Sequence, residues 1–122
     1  MNTAIIMLAS NSDRENNIIR ARERLADFFE IIAQSNVLDT EPVGKKYKNR
    51  FLNQALKILA DDTAKIATLH FKHIENEMGR SAATNKQGIV PIDIDLIFWN
   101  GEQRRNDYDR FEFVRQCVDE IS

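Results

Sequence analysis

Two aspartates that lie two positions apart, Asp93 and Asp95, are the residues of this sequence best suited to binding a metal ion. Apolar residues alternate with them along residues 92–98, which predicts a strand, so both carboxylates leave one face about 6 to 7 Å apart. Like charges on one face repel unless water or a cation lies between them. Magnesium prefers one or two carboxylates together with water and substrate phosphates. The pair therefore predicts a magnesium site for a phosphate ligand, and the alternative is an ordinary acidic strand surface.

Phe51 and Asn53 form a second pair, in a stretch of alternating residues at 51–60 that predicts a half-buried strand. An aromatic ring offers a stacking surface, and an amide offers hydrogen-bond donors and an acceptor, so the two suit a flat heterocycle. The alternative is a sheet position that packs under a helix. The loop predicted to lie next to this pair contains Thr40, Pro42, Val43 and Gly44.

Arg80 follows a predicted helix whose apolar residues recur with helical period and that ends near Gly79, a natural C-terminal cap. A guanidinium just past a helix end is suited to binding phosphate oxygens through two hydrogen bonds. The alternative is a cation that interacts with the helix dipole. Glu75 lies on the same helix and flanks the same end.

The elements that must position these residues follow from the pattern of apolar residues. Ser12 and Glu15 have the spacing of a capping box that starts a helix. The predicted strands are residues 4–9, 31–38, 51–60 and 92–98, the predicted helices are 13–29, 64–79 and 107–121, and residues 81–90 are predicted to be a polar loop. The order βαββαβ predicts an α+β ferredoxin-like fold, an antiparallel sheet with helices packed on one face, plus a short C-terminal helix. The strands that carry the two residue pairs are expected to be neighbours, with both pairs facing one cleft.

Composition excludes several classes of protein. The 122 residues are predicted to form a single domain, with 43% hydrophobic and 30% charged residues as in ordinary globular proteins. A net charge of −2 gives no electrostatic field that would attract nucleic acid or an anionic membrane. No apolar run is long enough for a membrane span. The single cysteine, Cys117, cannot form an intrachain disulfide, which favours a reducing cytoplasm. We expect a cytoplasmic monomer or weak homo-oligomer without nucleic-acid or membrane partners.

Five short motifs follow one another between residues 5 and 101. They are Ala9-Ser10-Asn11, residues 40–44, Phe51-Leu52-Asn53, Glu75 with Gly79-Arg80, and residues 91–98. In this order they resemble the hydroxymethyldihydropterin pyrophosphokinases of folate synthesis. The last motif is the most specific, because that family ends the corresponding strand in a D-[IL]-D-[IL] pattern.

The resemblance implies a ferredoxin-like enzyme that transfers pyrophosphate from ATP to the hydroxymethyl group of a reduced pterin. It implies that Asp93 and Asp95 hold two magnesium ions and act in catalysis with Arg80. It also implies an ATP site that includes Glu75 and Arg80, and we expect Lys86, the only cation of residues 81–90, to contribute to it. The implied pterin pocket consists of Thr40, Pro42, Val43, Phe51 and Asn53, with Phe113 covering the other face of the pterin.

The chain departs from the family pattern at positions where the family carries cations. Ala82 and Val90 stand where the family has arginines, and Gln87 stands where it has a tryptophan. Cations aimed at the transferred phosphates act mainly in the transition state, so slow turnover is expected. Other basic residues could take over part of this role: Lys45, Lys46, Lys48, Lys86, Arg104 and Arg105.

Two alternative functions are open from the sequence. A non-catalytic relative would keep the fold and bind a nucleotide, a pterin or a protein partner. An unrelated ferredoxin-like module could bind RNA through its sheet, although aspartates on that sheet would repel a phosphate backbone.

Overall fold

One antiparallel sheet organises the chain, and the computed structural model describes residues 1–122. The strands are β1 (Asn2–Ser10), β2 (Glu30–Gln34), β3 (Leu38–Thr40), β4 (Phe51–Ala60), β5 (Asp93–Trp99) and β6 (Glu102–Gln103). The helices are α1 (Arg14–Ala26), α2 (Ala64–Glu77), α3 (Ala82–Lys86), α4 (Asp107–Arg110) and α5 (Glu112–Ile121).

β1 lies at the centre of the sheet, between β4 and β5. The order β2-β4-β1-β5 is that of a ferredoxin-like βαββαβ unit, so the predicted α+β fold is confirmed. The expectation that the strands carrying Phe51 and Asp93 are neighbours is wrong, because β1 pairs with both of them and separates them. β1 takes this place because its continuous apolar run is buried on both faces of the sheet.

α1 and α2 pack on one face of the sheet and bury the larger of two apolar cores. The apolar stripe predicted for α2 is confirmed, since Ala67 and Phe71 are almost fully buried. The hydroxyl of Thr63 starts this helix by accepting the Ile66 N–H at 3.3 Å. Gly79 follows its end with a φ of 103°, a left-handed conformation that glycine adopts without strain. Both predicted ends of the helix are therefore confirmed.

The start of α1 differs from the capping box predicted at Ser12 and Glu15. Asp13 precedes the helix in a left-handed conformation, with φ 43° and ψ 46°, and no side chain caps the first turn. The Ser12 carbonyl instead accepts hydrogen bonds from Asn17 Nδ2 at 2.7 Å and from Ser10 Oγ at 3.0 Å. The box does not form because a capping residue needs extended backbone immediately before the helix, and Asp13 does not supply it.

The predicted strand at residues 31–38 is two strands, β2 and β3, which both pair with β4. Ser35 interrupts it, because its buried hydroxyl accepts the Ala55 N–H at 2.9 Å and its carbonyl accepts Gln54 Nε2 at 2.8 Å. The predicted polar loop at 81–90 contains the short helix α3, which Ser81 starts through a capping box with Thr84. Both differences come from polar hydrogen bonds that a pattern of apolar residues does not reveal.

α5 packs on the opposite face of the sheet and completes a second, smaller apolar core. Its members from the sheet and the helix are Ile5, Met7, Ala55, Ile97, Val114, Cys117 and Val118. The closing helix predicted at 107–121 is confirmed, except that extended backbone at Phe111 divides it into α4 and α5. None of the helices combines the length and apolar character that crossing a membrane requires.

Candidate active site

An open cavity of about 170 Å³ lies on the sheet face that carries α5. Engineered cavities of roughly this volume take up a benzene ring, so the space suits a small aromatic group. Phe51 and Asn53 line it from β4, and Asp93 and Asp95 line it from β5. The two pairs therefore meet at one cleft, as the alternation of residues along both strands predicts.

Strand register explains why the pairs meet although β1 separates their strands. Asn53 is paired with Ala9 of β1, and Ala9 is paired in turn with Asp93, so the three form a row across one face. Neighbouring strands lie about 4.8 Å apart, which separates the backbones of Asn53 and Asp93 by about 10 Å. Ala9 has a side chain too small to fill the space above the sheet. The row thus places an amide and a carboxylate on opposite sides of one cavity floor.

Asp93 and Asp95 each face one arginine. Arg80 Nη1 donates a hydrogen bond to Asp93 Oδ1 at 2.8 Å, and Arg105 Nη1 lies 3.7 Å from Asp95 Oδ1. Burial and, after it, the charge of Asp93 raise the pKa of Asp95 to about 7, because both disfavour its ionised form. A cation held between the carboxylates would relieve both effects, so this donor set fits a divalent metal ion.

Glu75 contacts Arg80 from outside the cavity lining. Its side chain is buried, and its Oε2 accepts the Ile94 N–H at 2.8 Å and lies 3.3 Å from Arg80 Nη1. Burial raises the pKa of Glu75, and the hydrogen bond from Ile94 acts in the opposite direction. Because this carboxylate is fixed to the backbone of β5, it positions the guanidinium of Arg80 beside Asp93.

The amide of Asn53 is almost fully buried and is held by the neighbouring strand β3. Its Nδ2 donates to Thr40 Oγ1 at 2.7 Å and to the Leu38 carbonyl at 3.3 Å. The donors of the amide are thus engaged within the chain, whereas Oδ1 accepts no hydrogen bond from it. Asn53 can therefore accept a hydrogen bond from an N–H group of a ligand.

Four aromatic residues line the cavity in two pairs. Phe51 meets Tyr47 edge to face with 5.3 Å between ring centroids, and Phe113 stacks on Phe111 with 5.7 Å between centroids. The sequence predicts Phe51 and Phe113 here but not Tyr47 or Phe111. No periodicity of an observed strand or helix includes the missed rings, because Tyr47 lies in the loop before β4 and Phe111 lies between α4 and α5. The cavity offers several flat surfaces for a heterocycle.

The remaining predicted residues are divided between the cavity and the surface. Thr40 and Val43 line the cavity, whereas Pro42, from the same loop, is not part of the lining. Lys86 is exposed at the end of α3 and forms no ion pair. Asp107, which the sequence does not single out, lines the cavity from the first turn of α4.

Asn11, at the end of β1, ties the segment before β5 to the sheet. Its side chain is only 3% exposed, its Nδ2 donates to the Gly88 carbonyl at 2.9 Å, and its Oδ1 accepts the Val90 N–H at 2.7 Å. Its backbone N–H also donates to the Val90 carbonyl at 3.0 Å. Gly88 has a φ of 70°, and a side chain there would collide with the Lys46 carbonyl oxygen. Val90 is consequently held in the cavity wall.

Residues 5–122 match the model of a protein family described as 7,8-dihydro-6-hydroxymethylpterin-pyrophosphokinase. The chain belongs to this family. It is 34% identical over 103 residues to the 2-amino-4-hydroxy-6-hydroxymethyldihydropteridine pyrophosphokinase of Aquifex aeolicus. The match covers 84% of this chain and 64% of that protein. It is 32% identical over 97 residues to the Folate synthesis bifunctional protein of Arabidopsis thaliana, and this match covers 78% of this chain and 20% of that protein. The chain thus spans less than two thirds of the length of these relatives.

A solved structure described as HPPK-DHPS in complex with substrates has a similar fold. The TM-score is 0.58 at 14% sequence identity, and the match covers 81% of this chain and 28% of that one. At this identity the likeness supports the ferredoxin-like fold of the pyrophosphokinase family.

The positions that depart from the pyrophosphokinase pattern lie partly on the surface and partly in the cavity. Ala82 and Gln87 are exposed at the two ends of α3, whereas Val90 is buried and lines the cavity. Arg80 lines both the cavity and a shallow groove on its other side, which also includes Glu75 and Ala82. An arginine at position 82 would therefore lie in the groove next to Arg80, outside the cavity itself.

Proposed function

We propose that the chain transfers the pyrophosphoryl group of ATP to the hydroxymethyl group of 6-hydroxymethyl-7,8-dihydropterin, in a magnesium-dependent step of folate biosynthesis that releases AMP. The observation that carries this proposal is the row of Asn53, Ala9 and Asp93, which joins an amide suited to a heterocycle and a carboxylate suited to a metal across one cavity floor. Membership of the pyrophosphokinase family supports this choice of reaction.

The pterin would bind at the Asn53 end of the cavity. There the free Oδ1 of Asn53 would accept a hydrogen bond from a ring N–H, while Thr40 holds the amide in place. Phe51 and Phe113 would supply the stacking surfaces, since their rings belong to the cavity lining. The loop that contains Pro42 and Val43 would close this end.

The nucleotide would bind at the carboxylate end. Asp93 and Asp95 would hold magnesium. The raised pKa of Asp95 supports this, because a bound cation would stabilise the ionised carboxylate that burial and Asp93 disfavour. When bound, magnesium supplies charge stabilisation to the phosphates. Arg80 would bind phosphate oxygens, since it lines both the cavity and the groove beside it. Glu75 would act through Arg80, and Lys86 would contact the nucleotide only if α3 approached the cavity.

The chain's own residues would act by alignment and by charge. In the transfer, the pterin hydroxyl oxygen bonds to the β-phosphorus and gives up its proton to water, while the bond from that phosphorus to the oxygen of AMP breaks. The protein forms no covalent bond with the reactants in this proposed reaction. The rate of transfer therefore depends on the alignment of the two reactants and on stabilisation of phosphate charge. Asn53 and the aromatic rings would orient the hydroxymethyl group, and Arg80 would stabilise the negative charge that develops.

We also propose a cytoplasmic location, with ATP and the reduced pterin as the partners. Cys117 is buried in the core beneath α5, and burial raises the pKa of its thiol, which keeps it in the unreactive protonated form. A buried, unreactive thiol is compatible with a reducing compartment.

A direct assay tests the proposed reaction. The purified chain is incubated with ATP, magnesium and 6-hydroxymethyl-7,8-dihydropterin, and AMP is measured over time. We expect AMP formation that requires the pterin and stops in EDTA. Asp95→Asn should lower kcat at least about 1000-fold, which corresponds to about 4 kcal/mol. Asp61→Asn is the matched control, because it removes the same charge from an exposed turn after β4.

Two results would contradict the proposal in different ways. A chain that binds both the pterin and a non-hydrolysable ATP analogue but releases no AMP would be a binding protein and not an enzyme. AMP formation that persists in excess EDTA would mean that the aspartates do not hold a metal ion needed for the reaction.

A further inference from the structure

Arg104 and Arg105 are adjacent in sequence but have different surroundings. Arg104 Nε lies 3.4 Å from Glu102 Oε1, whereas Arg105 Nη1 lies 3.7 Å from Asp95 Oδ1. Arg105 therefore contacts one of the carboxylates proposed to hold magnesium, and Arg80 contacts the other. Magnesium in such sites is shared between carboxylates and substrate phosphates, so a cation beside Asp95 is also within reach of those phosphates.

The hairpin between β5 and β6 brings Arg105 to this position. Its turn, Asn100-Gly101, has positive φ at both residues, 50° and 81°, and returns the chain along β5. Gln103 Nε2 donates to the Arg105 carbonyl at 2.9 Å, which fixes the backbone. Asp107 Oδ2 accepts the Arg105 Nε–H at 3.3 Å, which fixes the base of the guanidinium. Arg105 thus extends from the rim of the cavity, supported by a residue of its wall.

The far end of the Arg105 guanidinium has unused hydrogen-bonding capacity. Of its five N–H donors, only the Nε–H takes part in a hydrogen bond. The Arg105 side chain is 46% exposed, so the end of its guanidinium can turn toward a ligand without breaking buried contacts. Arg80 differs, since it is 26% exposed and is already hydrogen-bonded to Asp93.

We propose that Arg105 binds the β- or γ-phosphate of the nucleotide at the Asp95 end of the cavity and is positioned for this by Asp107. This role rests on the proposed function, because it requires a magnesium-bound triphosphate at the two aspartates. Among the basic residues considered as replacements for the missing family arginines, the four lysines form no ion pair, and Arg104 is paired with Glu102, which is not part of the cavity lining. Arg105 is the one whose guanidinium contacts a lining carboxylate.

Calorimetric titration tests this role without depending on turnover. The chain is titrated in excess magnesium with a non-hydrolysable ATP analogue and, separately, with AMP. Arg105→Ala should weaken binding of the analogue roughly 10- to 100-fold and change binding of AMP less than about twofold, because AMP lacks the β- and γ-phosphates. Arg104→Ala should leave both affinities unchanged. Asp107→Asn retains the guanidinium but weakens its anchor, so we expect a loss of roughly threefold to tenfold for the analogue.

The outcomes separate this role from the proposed function. If the wild-type chain binds no analogue in magnesium, the proposed function fails and the role of Arg105 fails with it. If the wild-type chain binds the analogue and Arg105→Ala binds it as tightly as Arg104→Ala does, only the role of Arg105 is overturned. An equal loss for the analogue and for AMP also overturns it. Thermal unfolding verifies that each variant is folded, and Arg105→Gln, with the same expected loss, replaces an unfolded alanine variant.

Discussion

The two faces of the sheet are built from the same strands but have different composition. The face under α1 and α2 is mostly apolar, with Ile6, Leu8, Leu56, Ile58 and Ile94 all buried, and Gln54 is a buried polar side chain on it. The opposite face is apolar only under α5, and beyond that helix it carries Asn53, Asp93 and Asp95 around an open cavity. The covered face tolerates Gln54 because that side chain is hydrogen-bonded to Arg22 of α1, whereas the polar side chains of the open face line a cavity that a ligand can enter. Folding stability and ligand chemistry are therefore separated on the two faces, and substitutions on each should have different effects.

The largest expected difference is between two phenylalanines. Phe71 on α2 is fully buried on the covered face, so Phe71→Ala should lower the free energy of unfolding by about 4 kcal/mol. Phe51 is only partly buried on the open face, so Phe51→Ala should lower it by about 1 kcal/mol and mainly weaken pterin binding. Urea unfolding measures the first quantity, and pterin titration measures the second. Equal losses of stability in the two variants would contradict the division between the faces.

Charge on the open face should act in the opposite direction, because burial and the charge of Asp93 make the ionised form of Asp95 unfavourable. Without metal, Asp95→Asn should raise the free energy of unfolding by about 2 kcal/mol at pH 8, since it removes a partly buried charge that Asp93 repels. The pKa of Asp95 is about 7 in the folded chain against an ordinary value of 3.8. Its proton therefore contributes stability that is fully present below about pH 4 and is lost as the pH rises through 7.

Urea unfolding in EDTA at two pH values measures this effect. Between about pH 5 and pH 8 the wild-type chain should lose stability relative to Asp95→Asn, so the advantage of the variant grows with pH. Asp61→Asn serves again as the control for removal of an exposed charge. An Asp95→Asn chain that is less stable than wild type at pH 8 would mean that Asp95 is held by favourable contacts and not by repulsion.

The smallest expected effect concerns the rim of the open face. Ala82→Arg restores a cation in the groove beside Arg80 and should raise kcat about fivefold, roughly 1 kcal/mol, with less change in KM for ATP. Val90, the other position where the family has an arginine, is unsuitable because its side chain is buried. Ala83→Arg is the control, an exposed neighbour on α3. A gain of the same size in both variants, or one confined to KM, would exclude a specific effect at position 82.

Much of the fold was accessible from the sequence because burial repeats along the chain with the period of each element. The stripe that includes Phe71 and the glycine after α2 are local signals, and both were interpreted correctly. The half-buried strand predicted at 51–60 is wrong for its first part, because residues 52–56 of β4 are buried on both faces of the sheet. Features set by contacts between distant residues were not accessible. The interruption at Ser35 depends on β4, and the separation of β4 from β5 depends on the pairing of both with the distant strand β1.

In the site too, features set by local signals were predicted, and features set by contacts between distant residues were missed. Both residue pairs were predicted to face one cleft because alternation along a strand determines which side chains share a face. Asp107, Tyr47 and Phe111 were missed because their places depend on how the loops and the C-terminal segment return to the sheet. The position of Arg105 beside Asp95 depends likewise on a hairpin and on an acidic neighbour two residues later.

The hydrogen bonds of Asn11 divide the connection between α2 and β5 into two parts that differ in conformational freedom. Residues 88–90 are held by buried hydrogen bonds, whereas α3 has no buried residue. A ligand that contacts Val90 meets a wall that is already ordered, so little entropy is lost there on binding. A ligand that depends on Lys86 must immobilise that side chain, at about 0.5 to 1.5 kcal/mol. Inhibitors extended toward Val90 should therefore retain more of their contact energy as affinity than inhibitors extended toward α3.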